Sequence, residues 1–310
     1  MNTPIRIGTR ASLLARTQSS RVADDLSAAL GREVVLVEVT TQGDVSDAPL
    51  ASFGGVGVFV TALRQALLRG EVDVAVHSLK DLPTAAHDDL TLAAVPTRED
   101  PRDAIVARDG LTLGELPTGA RVGTGSPRRA SQLHALGLGF VVDGIRGNVD
   151  TRIGAVAAGE FDAVVLARAG IARLGRLDEV TEVLDPLQML PAPGQGALAV
   201  ECRAVDLELV AEIRAALDDP HTRAAVTAER TVLADLEAGC SAPVGALAEV
   251  AEGDDGDELW IRAVALSPDG GLSVRRSATG TPRDAADVGH RLAKEMLADG
   301  AAALIEEQMS

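Results

Sequence analysis

Two stretches of this chain recur, in the same order. RIGTRAS at residues 6–12 is echoed by RVGTGSP at 121–127, and GEVDVAVHSLK at 70–80 is echoed by GEFDAVVLARA at 159–169. In the second pair Gly70-Glu71-x-Asp73 and Gly159-Glu160-x-Asp162 coincide. Each echo is a short apolar run that leaves directly into polar residues, the pattern of a buried strand ending in a strand-to-helix turn. A repeat of this kind points to two similar α/β lobes whose strand ends face a cleft, because open α/β sheets place ligand groups at the carboxyl ends of their strands. The 310 residues leave room for both lobes and a further small domain.

Between the echoes the periodicity supports the same frame. Ile5–Gly8 reads as a strand, followed by a helix over 12–30 whose stripe Leu14, Gln18, Val22, Leu26 and Leu30 has one polar interruption. A strand at 33–40, a Gly-rich loop at 41–57 (a lid or a disordered segment), a helix at 59–68 and strands at 90–95 and 103–107 follow. The second lobe reads as strand 120–124, helix 127–136, strand 139–142, helix 148–158 and strand 162–166. PAPGQG at 191–196 is a hinge into a strand, and helices are expected near 206–217 and, after the break Asp218-Asp219-Pro220, over 222–236. Three strands, at 244–250, 258–267 and 272–278, then precede helical periodicity from Arg283, broken at Gly300, which gives a small α+β domain.

Charge narrows the chemistry. The net charge of −17 argues against general binding to nucleic acid or anionic membranes, and 2% aromatic content, with no Tyr and only Trp260, leaves little for base stacking. MNTPIRIGTR enters a strand without a signal-peptide pattern, no apolar run reaches membrane-spanning length, and two cysteines make no secreted framework; the expectation is a cytoplasmic protein with free thiols. The five histidines lack metal-ligand spacing, so no metal is expected. GQGALA matches a dinucleotide pattern but precedes a strand, the wrong context.

Three constellations remain. His77, Ser78, Lys80 and Asp81 crowd the end of one strand, and Lys80 is one of only two lysines among 29 basic residues. Such a cluster is either a solvated loop or a ligand site. Arg121, Arg128, Arg129, Arg146 and Arg152 gather against Asp143 and Asp150. Pro127 suits a first helical position, Ser126 can cap that helix, and arginines in its first turn oppose the helix dipole unless an anion joins them. Solvated arginines and a polyanion site are the two readings. Cys240 lies in the small-residue loop EAGCSAPVG, open enough for a nucleophile or an attachment point, whereas Cys202 sits in the apolar strand ALAVECR and reads as core.

Taken in order, IGTRASLLA, HSLKDLP, GTGSPRRA, IRGNVDTR, LPAPGQGALAVECR and EAGCSAPVG resemble the porphobilinogen deaminase (hydroxymethylbilane synthase) family over about residues 5–245. The resemblance implies an enzyme of tetrapyrrole (porphyrin, haem) biosynthesis. It would join four porphobilinogen molecules head to tail with loss of ammonia, on a dipyrromethane cofactor held by a cysteine thioether, and hydrolyse off hydroxymethylbilane. The implied fold has two periplasmic-binding-protein-like lobes, residues 1–96 with 197–217 and the inserted 97–196, plus a small domain, 218–310, that carries the cysteine. Asp81 takes the catalytic position and Cys240 the thioether. Lys80, Ser126, Arg128, Arg129 and Arg146 would hold the cofactor, while Arg10, Ser12, Arg152, Arg173, Phe59 and Gln195 would meet the substrate. Guanidinium forks suit the acetate and propionate groups of each pyrrole. The partners implied are porphobilinogen and the growing linear polypyrrole, with no nucleic acid or membrane, and a monomer is expected.

This chain departs from the family pattern in GGVGVFVTAL, which lacks a lysine or Lys-Glu pair often found there, in Pro127 and in Asp150. EGDDGD at 252–257 reads as a solvated hairpin tip. The competing class is a two-lobed anion-binding protein or sensor domain without catalysis.

Overall fold

The repeated stretches fold alike. The computed structural model describes residues 3–39, 57–239, 242–253 and 256–309, without the side chains at 57–59 and 307–309. Along the chain run β1 (Ile5–Thr9), α1 (Leu13–Leu30), β2 (Val34–Glu38), α2 (Gly57–Leu68), β3 (Val74–Ser78) and β4 (Leu90–Ala94). Then come β5 (Asp103–Ala107), β6 (Arg121–Gly123), α3 (Pro127–Ala135), β7 (Val141–Asp143), α4 (Val149–Ala157), β8 (Ala163–Ala167), α5 (Arg168–Arg173) and β9 (Glu182–Val183). β10 (Leu198–Arg203), α6 (Leu207–Leu217), α7 (Pro220–Asp235), β11 (Val244–Gly253), β12 (Gly256–Leu266), β13 (Ser273–Gly280), α8 (Ala285–Ala298) and α9 (Ala301–Met309) complete it.

The chain divides into two compact units, Met1–Glu99 with Ala197–Arg223, and Asp100–Gly196 with Ala224–Ser310. The first contains a five-stranded sheet of order β2-β1-β3-β10-β4, and the second a five-stranded sheet of order β7-β6-β8-β5-β9. In both, the first three strands are parallel, the fourth runs antiparallel and the fifth is antiparallel to the fourth. The register matches the sequence echo residue for residue. Ile7 pairs with Val74 and Gly8 with Ala75; Val122 pairs with Ala163 and Gly123 with Val164. Even a polar anchor repeats: Asp73 accepts from the Arg6 backbone N–H at 3.0 Å, and Asp162 from that of Arg121 at 2.7 Å. The fold is thus two α/β lobes of one design.

Each lobe buries its sheet under helices. In the first, Val22, Leu26 and Ile213 from α1 and α6 cover Ile5, Ile7, Val74, Val76 and Val200, and Leu63 and Leu67 of α2 pack with Val72 and Ala75. In the second, Leu133 of α3 joins Val122 and Val165, while Ile153 and Val156 of α4 join Val164 and Leu166. Among the described residues the largest fully buried side chains are leucines and isoleucines, with Met189 beside them and no aromatic, each worth roughly 1.5–3 kcal/mol on burial.

The second unit also carries the antiparallel meander β11-β12-β13, packed against α7, α8 and α9. It is joined to its lobe by an apolar cluster of Leu190, Leu247, Val264 and Leu266 and by the Ala246 N–H donating to Pro191 O at 3.0 Å. Glu229, fully buried on α7, accepts from Gly194 N at 2.6 Å and Ala248 N at 2.8 Å, which fixes the hinge sequence to the meander.

Local expectations needed some correction. The helix expected from residue 222 begins at Pro220, because the Asp219 carboxylate accepts from Thr222 N at 2.7 Å and proline fits a first helical position. Ser126 occupies the N-cap position of α3, but its hydroxyl makes no capping bond; its N–H donates to Thr124 Oγ1 at 3.2 Å instead. β9 is a two-residue strand that the sequence pattern does not reveal. The loop at 41–57 lies outside the described residues up to 56, as do Cys240, the side chain of Phe59 and residues 254–255 of the acidic insert.

Candidate active site

In the first unit β1 and β3 are adjacent and parallel, so their carboxyl ends open on one edge of the sheet. Arg10 follows β1 directly, and Ser12 caps α1, its hydroxyl accepting from Ala15 N at 3.4 Å. β3 ends at Ser78 and passes into a single 3-10 turn, Leu79–Asp81. Leu79 is fully buried and anchors the turn, its N–H donating to Ala197 O at 3.0 Å. Lys80 is half-buried and Asp81 exposed. The Asp81 carboxylate has no hydrogen-bonding or ionic partner among the described residues, so its place is set by the backbone alone. Gln18 interrupts the apolar stripe of α1 because its Nε2 donates to Ser78 Oγ at 3.0 Å.

The second unit gathers the other candidates. Arg128 and Arg129 lie in the first turn of α3 and are 3% and 5% exposed, which excludes solvated arginines. Both converge on Asp103, the fully buried first residue of β5. Arg128 Nη2 is 2.8 Å from Asp103 Oδ2, and Arg129 donates Nε and Nη2 to Oδ1 at 3.1 and 2.8 Å. Gln195 Nε2 adds a bond to Oδ1 at 2.8 Å and one to Pro101 O at 2.7 Å. Burial alone would raise the Asp103 carboxyl; Arg128 and Arg129, then the Gln195 amide, outweigh it and bring it down to about 2. Burial lowers the Arg128 guanidinium, against the opposing pull of Asp103.

Arginine remains in excess. Arg152 is half-buried beside Arg129, donates only to Gly147 O at 3.0 Å, and has no carboxylate partner among the described residues. Its burial, and then the like charge of Arg129, push its guanidinium down. Arg128 Nε is sealed from solvent without a hydrogen-bond partner among the described residues. Arg146 is exposed ahead of α4 and likewise forms no ion pair with a described residue. Arg173 is buried on α5 and donates to Gly196 O at 2.6 Å, and Ser126 sits at the start of α3. Arg128 and Arg129 thus share one internal carboxylate, Asp103, and Arg152 beside Arg129 adds a third cation. An orphaned guanidinium N–H and an uncompensated half-buried arginine fit a ligand that brings its own carboxylates, such as dipyrromethane.

Two of these contributors escape a reading of the sequence. Asp103 opens the apolar run DAIVA and carries no local sign of the two arginines that it collects from further along the chain. Gln18 did leave a signal, a polar residue on a buried stripe. No cluster of His, Cys, Asp and Glu able to hold a metal is found among the described residues. Cys202 is fully buried and its thiol is pushed up to about 12, mainly by burial, so it is inert core as expected.

The family model described as porphobilinogen deaminase, dipyromethane cofactor binding domain, matches residues 5–211, and that of the porphobilinogen deaminase C-terminal domain matches 223–298. A porphobilinogen deaminase of Mycobacterium tuberculosis is 60% identical over 306 residues, covering 97% of this chain and 98% of the relative. Porphobilinogen deaminase 1 of Streptomyces coelicolor is 59% identical over 313 residues, 98% of each chain. Among solved structures, the methionine-binding protein MetQ aligns with a TM-score of 0.44 at 14% identity, over 68% of this chain and 89% of that one. Matched along nearly its whole length, by both domain models and by relatives of such identity, the chain belongs to the porphobilinogen deaminase family.

Proposed function

We propose that this chain is a hydroxymethylbilane synthase. It condenses four porphobilinogen molecules head to tail, releases ammonia at each addition, and frees hydroxymethylbilane by hydrolysis. The observation that carries this reading is the 60% identity to a porphobilinogen deaminase across 97% of the chain. Dipyrromethane, when bound, supplies the pyrrole end to which the first substrate is joined. Its attachment point is Cys240, in the domain taken as 218–310, and Lys80, Ser126, Arg128, Arg129 and Arg146 hold its acetates and propionates. Arg10, Ser12, Arg152, Arg173, Phe59 and Gln195 serve the substrate rings.

Asp81 does the acid chemistry. Its exposed side chain, in the carboxylic acid form, gives its proton to the departing amine, and the carboxylate left behind faces the cation that porphobilinogen becomes when ammonia leaves. Lys80 beside it holds a carboxylate of the cofactor. Among the described residues no helix is long and apolar enough to cross a membrane. We take the protein to act in the cytoplasm as a monomer, with neither membrane nor nucleic acid as partner. The alternative, a non-catalytic anion binder, shares the arginines but needs no modified cysteine.

Mass spectrometry of the purified protein separates the two. The intact chain is expected to be heavier than its sequence by one dipyrromethane and to form hydroxymethylbilane from porphobilinogen, while Cys240→Ser loses both properties. A folded, unmodified and inactive parent protein would favour the anion binder.

A further inference from the structure

In the first unit a charged array lies buried behind the turn that carries Lys80 and Asp81. Glu201, on β10, is 3% exposed among Leu198, Ala199, Val200 and Cys202. Arg64 of α2 grips it with a guanidinium fork, Nε to Oε2 at 3.0 Å and Nη2 to Oε1 at 2.8 Å. His77 of β3, 6% exposed, brings its Nε2 to 3.2 Å from Glu201 Oε2. Folding alone gains little from such an array, since a buried ion pair can often be replaced by apolar residues of similar volume without loss of stability. Its retention calls for a role in specifying geometry.

Position suggests which geometry. His77 and Ser78 are the last two residues of β3, and successive strand residues point to opposite faces. On one face the His77 ring lies 3.2 Å from Glu201, which Arg64 grips; on the other Ser78 accepts from Gln18 of α1. Between them the backbone continues to Leu79, whose N–H is tied to Ala197 at the entry to β10. Polar contacts thus pin the strand end on both faces just before Asp81, whose own side chain has no partner among the described residues. A one-residue slip or a tilt of this strand end would move the Asp81 carboxylate directly, with no side-chain contact to correct it.

We propose that Arg64, Glu201 and His77 form a positioning array that holds the β3 terminus, and with it Asp81, in the geometry required for loss of ammonia from porphobilinogen. This rests on the functional reading above. Glu201 orients His77, Arg64 fixes Glu201, and none of the three touches substrate. The array sets the rate at which bound substrate reacts, through the placement of Asp81, and leaves the arginines that bind carboxylates untouched.

Kinetics on the cofactor-bearing enzyme test this. His77→Gln and Glu201→Gln are each expected to lower kcat at least about tenfold, with KM for porphobilinogen within about twofold of the parent and the dipyrromethane mass increment intact. The double variant Arg64→Met with Glu201→Leu replaces the ion pair by apolar side chains; its melting temperature should approach that of the parent while kcat stays low. The proposal is overturned if the double variant regains both stability and turnover, or if His77→Gln turns over within about twofold of the parent. Should the single variants fail to fold, the double variant decides alone. A parent protein without cofactor or activity would instead sink the functional reading, a distinct result.

Discussion

The two five-stranded lobes share a frame and differ in how they use one buried carboxylate. In each, that carboxylate sits on the antiparallel fourth strand: Glu201 on β10, opposite Ala75, and Asp103 on β5, opposite Ala167. In the first lobe it collects one arginine and a histidine and stiffens the end of β3. In the second it collects two arginines and an amide and leaves a cationic surplus at the start of α3. The neighbouring third strands end differently too, β3 in a 3-10 turn exposing Asp81 and β8 in the arginine-bearing helix α5. A duplicated frame can therefore carry acid chemistry in one lobe and anion binding in the other, because only the strand ends and one interior charge need to diverge.

Removing the carboxylates should break the comparison most sharply. Asp103→Ala strands two buried guanidiniums and is expected to cost about 3–5 kcal/mol, since a buried charge left without its partner cannot regain water. Glu201→Ala strands one guanidinium and should cost less, nearer the lower end of about 3 kcal/mol. Urea midpoints of the two variants check this. Equal losses, or a greater one at Glu201, would mean that the surplus around Asp103 is already neutralised by something other than Asp103.

Acid should expose the same pair more gently. Burial would raise both carboxyls, yet Arg128 and Arg129 bring Asp103, and His77 and Arg64 bring Glu201, down to about 2, from ordinary values of 3.8 and 4.5. A carboxyl depressed on folding gives stability that is complete above its unfolded value and lost as pH falls toward its folded one. Each group thus contributes on the order of 2–3 kcal/mol at neutral pH, lost between about pH 5 and pH 2. Melting temperature should fall across this window, and Glu201→Gln should flatten the upper part first, because Glu201 has the higher unfolded value. A parent curve flat down to pH 3 would refute the assignment.

The repeat made the frame legible before any coordinates: the register Ile7–Val74 and Val122–Ala163 is the alignment of the two echoes read across a sheet. Local periodicity also gave α1, its cap at Ser12 and the buried Cys202. What it could not give was pairing at a distance. Asp103 and Glu201 each look like one polar residue in an apolar run, and their partners lie 26 and 137 residues away. The Ser126 hydroxyl was expected to cap α3 on local grounds, but Thr124 takes its N–H and the side chain is left for other use. Composition and spacing singled out Lys80, Asp81 and the arginine cluster, with solvated arginines and a polyanion site both open; the resemblance supplied their roles, and the burial of Arg128 and Arg129 around Asp103 ruled out the solvated reading for those two.

The smallest expected effect probes the part of the comparison that should not differ. Asp73 and Asp162 accept the backbone N–H of Arg6 in β1 and of Arg121 in β6, respectively. Asp73 also holds Arg6 Nη2 at 2.8 Å and Arg203 Nη2 at 3.3 Å, and Asp162 also holds Arg108 Nε at 2.6 Å. Because the shared bond closes the β1–β3 pairing in one lobe and the β6–β8 pairing in the other, Asp73→Asn and Asp162→Asn should each cost only about 1 kcal/mol. The Asp73 change should be slightly the larger, since it also weakens two ionic contacts. Neither site touches the proposed catalytic or anion-binding residues, so kcat and cofactor content should hold while the urea midpoint shifts. If one substitution lowered turnover and the other did not, the common frame would itself be part of the division of labour, and the equivalence of the lobes would stop at their topology.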